Sequence, residues 1–241
     1  MTVHLVGAGP GDPGLLTLRA AELLAAADVV IHDRLVDPRI VARARPGATV
    51  IDVGKSPRRS SLTQAAINDL LLLHGRSGAT VVRLKGGDPY VFGRGGEEAE
   101  ALLAAGIAVE VVPGVSAAFA APAAAGIPVT QRQVALSATV VTGHEDPDGD
   151  TSVDWDAVAR LGGTIVVLMG AARIAAIAER LLAGGLAPTT PVAVVRWGTR
   201  PEQEVLRSDL VSIAGHALSS PCTIVIGAVA GLDLAAYHPE A

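Results

Sequence analysis

Short runs of β-branched residues that each end in a glycine-containing turn constrain the fold of this chain more than any other feature. Such runs predict buried strands, and the Ala/Leu-rich stretches between them have the spacing of helices. In the first half of the chain the predicted strands cover residues 3–6, 28–32, 49–53, 80–84 and 107–112, and the predicted helices cover residues 15–26, 62–74 and 95–105. This alternation predicts an α/β fold with a mostly parallel sheet and helices on its faces.

The pattern changes near residue 115, where a second domain should begin. Ser116 is a suitable N-cap for an Ala-rich helix that reaches about residue 125. Strands are then predicted at residues 136–142, 164–169, 191–197, 204–207 and 223–226, helices at residues 155–161 and 172–183, and a polar loop at residues 145–154. We therefore predict two α/β domains, an N-terminal domain over residues 1–115 and a C-terminal domain over residues 116–241.

The composition argues against several classes of protein. Half of the 241 residues are hydrophobic but only 2% are aromatic, so the core must be aliphatic. No apolar run reaches the ~20 residues of a membrane helix, and the net charge of −5 is the wrong sign for a nucleic-acid-binding protein. A single cysteine, Cys222, cannot form an internal disulfide, and the chain opens directly into a predicted strand. We therefore expect a cytoplasmic protein that binds neither membranes nor nucleic acids.

A loop rich in glycine and proline, residues 7–14, follows the first predicted strand. Three of its glycines have the G-x-G-x-x-G spacing of a dinucleotide-binding loop, and Asp33 lies near the distance of a ribose-binding acid. This spacing keeps an NAD-dependent oxidoreductase open as an alternative. Pro10 and Pro13 argue against it, because they remove backbone N–H donors that a pyrophosphate would need. The loop is better suited to the close approach of a flat ligand.

A second loop, Gly86-Gly87-Asp88, follows the predicted strand at residues 80–84. Its glycines allow main-chain groups to reach a ligand, and Asp88 adds an acceptor for a ribose hydroxyl or an ammonium group. Parallel strands end at the same edge of a sheet, so both loops should lie at the edge where open α/β sheets bind ligands.

The two loops belong to an ordered set of short motifs that spans about residues 3 to 230. Together these motifs closely resemble the tetrapyrrole methylase family, and within it the enzymes that methylate uroporphyrinogen III. The resemblance is carried by Val6-Gly7-Ala8-Gly9-Pro10-Gly11-Asp12-Pro13, Asp33-Arg34-Leu35-Val36, Val53-Gly54-Lys55, Val82-Arg83-Leu84-Lys85-Gly86-Gly87-Asp88-Pro89, Phe92-Gly93-Arg94-Gly95-Gly96-Glu97-Glu98, Pro113-Gly114-Val115-Ser116-Ala117, Gly126-Ile127-Pro128, Thr142-Gly143-His144, Met169-Gly170 and Gly198-Thr199.

The resemblance implies two α/β domains with a cleft between them, a homodimer, and S-adenosylmethionine as the methyl donor, which leaves as S-adenosylhomocysteine. It also implies roles for individual residues. Asp33 is the implied proton acceptor and Lys55 the implied proton donor. The implied donor-binding residues are Pro10, Gly86, Gly87, Asp88, Val91, Ser116, Ala117, Met169 and Gly198.

The reaction implied by the resemblance is the methylation of uroporphyrinogen III on rings A and B, which gives precorrin-2 by way of precorrin-1 and leads to sirohaem and cobalamin. A sulfonium donor is already activated, so we expect no metal. The protein mainly has to align the methyl group with a pyrrole carbon, and a general base has to accept the proton that leaves the macrocycle. Asp33 should stay ionised for this task by pairing with the adjacent Arg34.

Basic residues at the ends of predicted elements are the candidates for binding a polycarboxylate substrate. Arg34, Arg94 and Arg132 are suited to this, because a guanidinium group can bind a carboxylate through two hydrogen bonds. The sequence departs from the family at residues 56–61 and at Gln131, and both departures lie near the expected substrate side.

Three alternatives remain open at the level of sequence. Sister methylases that act on later precorrins share the donor loops, although Asp33-Arg34-Leu35-Val36 and the long loop from Gly93 to Glu98 favour the early enzyme. The oxidoreductase depends on the glycine spacing alone. A non-catalytic tetrapyrrole carrier would leave the Gly86-to-Asp88 loop without a purpose. Binding of S-adenosylhomocysteine rather than NADH would separate the methylases from the oxidoreductase.

Overall fold

A computed structural model describes residues 2–54, 62–145 and 153–237 of the chain. The chain divides into two compact units, Met1–Ser116 and Ala117–Ala241. Within the described residues, none of the helices combines the length and the apolar character needed to cross a membrane.

The first unit contains a five-stranded parallel sheet, as the sequence predicts. Its strands are β1 (Thr2–Gly7), β2 (Val29–His32), β3 (Thr49–Asp52), β4 (Val81–Lys85) and β5 (Ala108–Val112). They lie in the order β3-β2-β4-β1-β5, and every neighbouring pair is parallel. All five strands therefore end at one edge of the sheet, which we call the carboxyl edge.

Four helices connect these strands, and side-chain caps set where three of them begin. They are α1 (Leu18–Ala26), α2 (Pro38–Val41), α3 (Gln64–Gly75) and α4 (Gly95–Ala104). The side chains of Thr17, Asp37 and Thr63 accept hydrogen bonds from the first turns of α1, α2 and α3. The predicted start of the first helix at residue 15 is wrong, because a short 3-10 turn at Pro13–Leu15 precedes the Thr17 cap.

Apolar clusters cover both faces of the first sheet, and alternate residues of each strand belong to opposite faces. One cluster contains Val30 and Leu84 and packs around α1. The other contains Ile31 and Val81 and packs around α3 and α4. By the same alternation, the odd-numbered positions at the ends of β2 and β4 belong to the face that α3 and α4 cover.

The second unit also combines helices with a five-stranded sheet. Its elements are α5 (Ala117–Ala124), β6 (Ala138–Thr142), α6 (Trp155–Leu161), β7 (Thr164–Leu168), α7 (Ile174–Ala183), β8 (Pro191–Arg196), β9 (Glu204–Asp209), α8 (Leu210–Ile213) and β10 (Cys222–Ile226). The two units together confirm the predicted α/β class. Of the predicted polar loop at residues 145–154, the part from 146 to 152 lies outside the described residues.

The second sheet is mixed, whereas alternation of strands and helices predicts parallel pairs. Its order is β6-β7-β10-β8-β9, in which only β6 and β7 pair in parallel. The connection between β8 and β9 covers only residues 197–203. A parallel crossover needs about a dozen residues or more, so this short connection makes an antiparallel hairpin instead.

Candidate functional site

The carboxyl edge of the first sheet gathers the sequence motifs of the first unit. Asp33 follows β2, the loop Gly86-Gly87-Asp88 follows β4, and the loop Ala8-Gly9-Pro10 follows β1. Pro113 and Gly114 follow β5. Because β2, β4, β1 and β5 are consecutive neighbours in the sheet, these motifs form one continuous border.

Backbone hydrogen bonds join the first two glycine loops directly. The Ala8 N–H donates to the carbonyl of Lys85 over 2.7 Å. Beyond this point Gly9 and Gly87 exchange both of their hydrogen bonds, at 3.1 Å and 2.8 Å. Gly9 and Gly87 both have positive φ angles, of 75° and 66°, which glycine adopts without strain. The two loops are therefore held in contact through their main chains.

Three glycines allow the loops after β1, β4 and β5 to meet. A Cβ atom on Gly7 would lie 2.5 Å from the Gly114 nitrogen, and a Cβ atom on Gly114 would lie 2.2 Å from the Gly87 carbonyl oxygen. Both distances are well below normal contact. The close approach of these loops therefore requires glycine at positions 7 and 114. We call this region, residues 7–10, 86–88 and 113–114, the glycine crossing.

Asp88 ties the glycine crossing together through its carboxylate. One of its oxygens accepts a hydrogen bond from the Tyr90 N–H at 2.8 Å, and the other accepts one from the Gly114 N–H at 3.0 Å. Each carboxylate oxygen can accept more than one hydrogen bond, so capacity for a ligand remains. The sequence predicts Asp88 as a ligand acceptor, and the structure adds that it fixes the loop after β5.

One residue of the glycine crossing presents exposed main chain. Gly86 is exposed, and a Cβ atom built on it would meet only the Leu35 Cβ, at 3.8 Å. Pro10, Asp88 and Val91 are partly exposed beside it. Ser116, two residues after Gly114, is buried. Of the predicted donor residues of the first unit, Pro10, Gly86, Gly87 and Asp88 thus belong to the glycine crossing, whereas Val91 and Ser116 lie a few residues beyond it in the sequence.

The dinucleotide alternative suggested by the glycine spacing is wrong. In a dinucleotide site the glycine loop leads straight into a helix whose free N–H groups bind the pyrophosphate. Here the short turn at Pro13–Leu15 intervenes, and Thr17 caps the helix that follows. In addition, β4 lies between β1 and β2, whereas the first two strands of that fold are neighbours.

Asp33 is held by a cation from the neighbouring strand. The Arg83 Nη2 atom donates to Asp33 Oδ1 over 2.5 Å, and the Lys85 Nζ atom lies 4.0 Å from Asp33 Oδ2. The expectation that Arg34 would be the partner of Asp33 is therefore wrong. Among the described residues no ion pair joins Arg34 to Asp33, and the Arg34 backbone packs closely on Gly54, where a Cβ atom would lie 2.5 Å from the Arg34 nitrogen.

Glu98, in the first turn of α4, completes a cluster of four charged side chains. The Arg83 Nε atom donates to Glu98 Oε1 over 3.0 Å, and the Lys85 Nζ atom lies 3.2 Å and 3.1 Å from the two Glu98 oxygens. Glu98, Arg83 and Lys85 are at most 3% exposed, whereas Asp33 is 34% exposed. We call Asp33, Arg83, Lys85 and Glu98 the charge ring.

The sequence of β4 carries a signal for the charge ring. Arg83 and Lys85 alternate within a strand that is otherwise apolar and buried. Burial lowers the pKa of Lys85 and the nearby Arg83 charge lowers it further, while Glu98 and Asp33 oppose both effects. Two cations on one face of a buried strand require buried carboxylates nearby, which is the observation that could have indicated Glu98.

The predicted substrate arginines are all exposed but differ in their surroundings. Arg94 binds Glu97 through two hydrogen bonds of 2.8 Å and 2.7 Å, and this hydrogen bonding raises the pKa of Arg94. Arg34 follows Asp33 at the carboxyl edge, and Arg132 lies in the second unit, just after Gln131. Lys55, the predicted proton donor, lies outside the described residues.

The remaining predicted donor residues, Ala117, Met169 and Gly198, belong to the second unit. Met169 directly follows β7 and has a φ of 59°. Trp197 and Thr199, on either side of Gly198 after β8, have φ angles of 50° and 72°. Because β7 and β8 both run antiparallel to β10, Met169 and Gly198 lie at the same edge of the second sheet. Positive φ angles in non-glycine residues are uncommon and concentrate at binding sites.

Comparisons with known proteins agree with this arrangement of motifs. A family model described as Tetrapyrrole (Corrin/Porphyrin) Methylases matches residues 2–214. A protein of Methanosarcina barkeri described as S-adenosyl-L-methionine-dependent uroporphyrinogen III methyltransferase is 49% identical over 235 residues, which are 95% of this chain and 92% of that protein. The crystal structure of uroporphyrin-III C-methyl transferase from Thermus thermophilus complexed with S-adenyl homocysteine has a TM-score of 0.83 and 43% identity, and the match covers 95% of this chain and 98% of that one.

Siroheme synthase 1 of Yersinia pseudotuberculosis is 50% identical over 232 residues, which are 95% of this chain. The match covers only 49% of that protein, so this chain spans about half the length of that relative. The similarity to the siroheme synthase therefore concerns one part of a larger protein. The motifs at both sheet edges lie inside the residues that the family model matches.

Proposed function

The chain belongs to the tetrapyrrole methylase family, and we propose that it is a methyltransferase that transfers methyl groups from S-adenosylmethionine to carbon atoms of uroporphyrinogen III. One observation carries the proposal at the level of the site. The glycine crossing lies beside Asp33 at the carboxyl edge of the first sheet, so a surface for a ligand bound by backbone groups borders a fixed carboxylate. The finer proposal is that methylation occurs on rings A and B and gives precorrin-2 by way of precorrin-1.

The donor-binding residues are proposed from the family resemblance. In the first unit these are Pro10, Gly86, Gly87, Asp88, Val91 and Ser116, and in the second unit Ala117, Met169 and Gly198. When bound, S-adenosylmethionine supplies an electrophilic methyl group on a sulfonium centre. The exposed main chain at Gly86 and the Asp88 carboxylate are the groups of the glycine crossing that are best placed to contact it.

Asp33 is the proposed general base. Methyl transfer to a pyrrole carbon leaves a positive charge on the macrocycle, which is discharged when a proton leaves. Arg83 occupies Oδ1 of Asp33, and Oδ2 is 4.0 Å from Lys85, so Oδ2 is the oxygen better able to accept that proton. Asp33 is 34% exposed, which lets a bound substrate reach it. Lys55 is proposed as the proton donor on the basis of the family resemblance.

Arg34, Arg94 and Arg132 are proposed to bind the carboxylates of the substrate. The Phe92-to-Glu97 segment supports this for Arg94, because it lines an open pocket together with Tyr90. Arg94 would have to exchange its bonds with Glu97 for bonds to the substrate, and two exposed partners can do so at little cost.

A labelling experiment tests the proposed activity. The purified protein is incubated with uroporphyrinogen III and methyl-labelled S-adenosylmethionine under anaerobic conditions, and the product is analysed by mass spectrometry. The proposal predicts two labelled methyl groups on each macrocycle. An unchanged macrocycle, under conditions in which a later precorrin gains a methyl group, would instead identify a sister methylase.

The Asp33→Asn variant tests the proposed base within the same assay. We expect kcat to fall by about a hundredfold, a typical contribution of a general base. The affinity for S-adenosylhomocysteine should stay within about twofold of the unaltered protein, because Asp33 is not part of the glycine crossing. If donor affinity collapsed with turnover, Asp33 would belong to the donor subsite instead.

Assembly as a homodimer is proposed from the family resemblance, and a cytoplasmic location is proposed because a single cysteine, Cys222, cannot form an internal disulfide. Light scattering coupled to size-exclusion chromatography measures the first, and a monomer at micromolar concentration would contradict it. Cell fractionation measures the second.

A further inference from the structure

The charge ring is closed, because each of its two cations approaches both of its carboxylates. Arg83 donates to Asp33 over 2.5 Å and to Glu98 over 3.0 Å. Lys85 lies 3.1 Å from Glu98 and 4.0 Å from Asp33. Two positive and two negative groups therefore balance within one cluster, on the face of the sheet covered by α3 and α4.

The two carboxylates of the charge ring differ in access. Glu98 is 0% exposed, whereas Asp33 is 34% exposed. Within residues 2–54, 62–145 and 153–237, the one other side chain that bonds Glu98 is the neutral amide of Gln64, at 3.4 Å. Glu98 therefore has no route to a substrate, and Arg83 and Lys85 are the charged side chains that connect it to Asp33. Asp33 is partly exposed, and it shares the attraction of Arg83 and Lys85 with Glu98.

We propose that Glu98 is a positioning residue that shares Arg83 and Lys85 with Asp33, so that Asp33 is held in one orientation with its Oδ2 atom placed to accept a proton. The proposal rests on the proposed function of Asp33 as general base. Without Glu98, both cations would act on Asp33 alone and would hold it as a weakly basic carboxylate. Without Lys85, two carboxylates would share a single cation, and Asp33 would become more basic.

Other charged or titratable groups around the charge ring come from every neighbouring element. On β2, the His32 ring contacts the Asp33 carbonyl at 3.1 Å, and Arg34 follows Asp33. Asp52 at the end of β3 accepts a hydrogen bond from Gly54, on which Arg34 packs. On α4, the exposed Arg94 and Glu97 pair with each other, and α3 contributes only the neutral Gln64. The substitutions below leave all these groups unchanged.

The first test compares Glu98→Gln with Lys85→Met in the pH dependence of kcat. Glu98→Gln should move the acid limb of the profile to lower pH by about one unit, and Lys85→Met should move it to higher pH by a similar amount, as expected for one charge at short range. Because a weaker base is a poorer catalyst, kcat of Glu98→Gln should also fall by about tenfold at the optimum. The affinity for S-adenosylhomocysteine should stay within about twofold in both variants.

The double variant, Glu98→Gln with Lys85→Met, distinguishes charge sharing from simple loss of structure. It removes one charge of each sign, so Arg83 and Asp33 remain as a balanced pair, and the acid limb should return to within about a third of a unit of its original position. Glu100→Gln is the matched control, since Glu100 lies exposed on the same helix. If Glu98→Gln alone does not fold, charge sharing is still tested, because Lys85→Met should move the acid limb to higher pH and the double variant should restore it. Acid limbs that coincide in all folded variants would overturn the proposal.

A second test does not depend on turnover. The pKa of Lys85 can be followed by NMR in protein labelled at the lysine side chains, with Lys85→Met to assign the signal. Glu98 is one of the groups that raise this pKa, so Glu98→Gln should lower it further, and Glu100→Gln should leave it unchanged. An unchanged Lys85 pKa in Glu98→Gln would overturn the proposal, whatever the activity. A protein that shows the Lys85 shift but does not methylate uroporphyrinogen III would instead contradict the proposed function alone.

Discussion

The two units differ in what they bury. Among the described residues, every buried charged side chain belongs to the first unit, namely Asp12, Asp37, Arg83, Lys85 and Glu98. The buried polar side chains of the second unit are all threonines, Thr164, Thr199 and Thr223. Its main cluster is otherwise aliphatic around Trp155. Both sheets have five strands, so the difference does not follow from their size.

This contrast indicates that the two units have different roles. A buried ion pair contributes little net stability, because desolvation offsets the attraction between its charges. The charge ring is therefore better explained by its contact with Asp33 than by the stability of the first sheet. The second unit has no comparable cluster in the part of the chain that the structure describes. Its candidate residues lie at a sheet edge whose backbone adopts positive φ angles at Met169, Trp197 and Thr199.

The largest expected effect on stability lies in the second unit. Trp155 is only 2% exposed and lies in the aliphatic cluster, so Trp155→Ala should lower the free energy of unfolding by about 4 kcal/mol. Leu161→Ala, at an exposed position on the same helix, is the control and should change it by less than about 0.5 kcal/mol. Urea denaturation measures both variants. A loss below about 1 kcal/mol for Trp155→Ala would contradict the view that apolar packing stabilises this unit.

In the first unit, the glycine crossing should be the most sensitive part of the backbone. A Cβ atom at position 114 would lie 2.2 Å from the Gly87 carbonyl oxygen, so Gly114→Ala should cost about 2 to 3 kcal/mol of stability. The affinity for S-adenosylhomocysteine should also fall by more than about tenfold, since the loops after β4 and β5 are forced apart. Gly215→Ala is the control, because its Cβ would meet only the Ser212 carbonyl oxygen at 3.6 Å. Calorimetric titration that finds equal affinities for the two variants would argue against donor binding at the crossing.

Asp88→Ala should have a smaller effect in the same region. It removes the acceptor of the Tyr90 and Gly114 N–H groups, which should cost about 1 to 2 kcal/mol of stability. Donor affinity should weaken by about tenfold, because the loop loses its fixed geometry as well as a ligand acceptor. Asp88→Asn keeps one oxygen acceptor, so its donor affinity should lie between those of Asp88→Ala and the unaltered protein. If both variants bound S-adenosylhomocysteine normally, Asp88 would have a structural role only.

The smallest expected effect concerns Cys222. It allows the effect of burial on pKa to be compared between the two units. Burial raises the pKa of the Cys222 thiol to about 11, partly opposed by Arg196, whereas burial lowers the pKa of Lys85. In each case the neutral form is favoured. Because the thiol pKa is raised from 9.0 in the folded protein, its contribution to stability is complete below pH 9 and is lost as the pH rises toward 11.

The free energy of unfolding of Cys222→Ala should therefore decrease less steeply between pH 9 and 11 than that of the unaltered protein. Urea denaturation at several pH values measures this difference. Identical slopes would show that the thiol is accessible to water in the folded state, and would remove this part of the contrast between the units.

The elements of the first unit could be predicted well from sequence because their signals are local. A β-branched run followed by glycine identifies a strand and its end, as for β1 and β4. The start of α1 was placed too early, because a capping threonine two residues past a 3-10 turn has no strong signature. The pairing directions of the second sheet could not be predicted in the same way. They depend on which strands become neighbours, and only the short connection after β8 gave a local indication.

The site could be predicted only in part. The residues of the glycine crossing could be predicted because glycine permits backbone conformations and close approaches that other residues cannot adopt, while proline fixes the backbone. The partner of Asp33 was predicted wrongly as Arg34, since sequence adjacency does not reveal that Arg83 lies on the neighbouring strand. Glu98 was missed altogether, because its role depends on the position of α4 over the end of β4.

A crystal structure of the protein with S-adenosylhomocysteine tests the central claim most directly. The account predicts that the ligand contacts the main chain of residues 86–88 and that its sulfur atom lies on the side of the glycine crossing that borders Asp33. Density for the ligand at another edge of either sheet, or loops that close over Gly86 and leave no room for an adenosyl group, would contradict it.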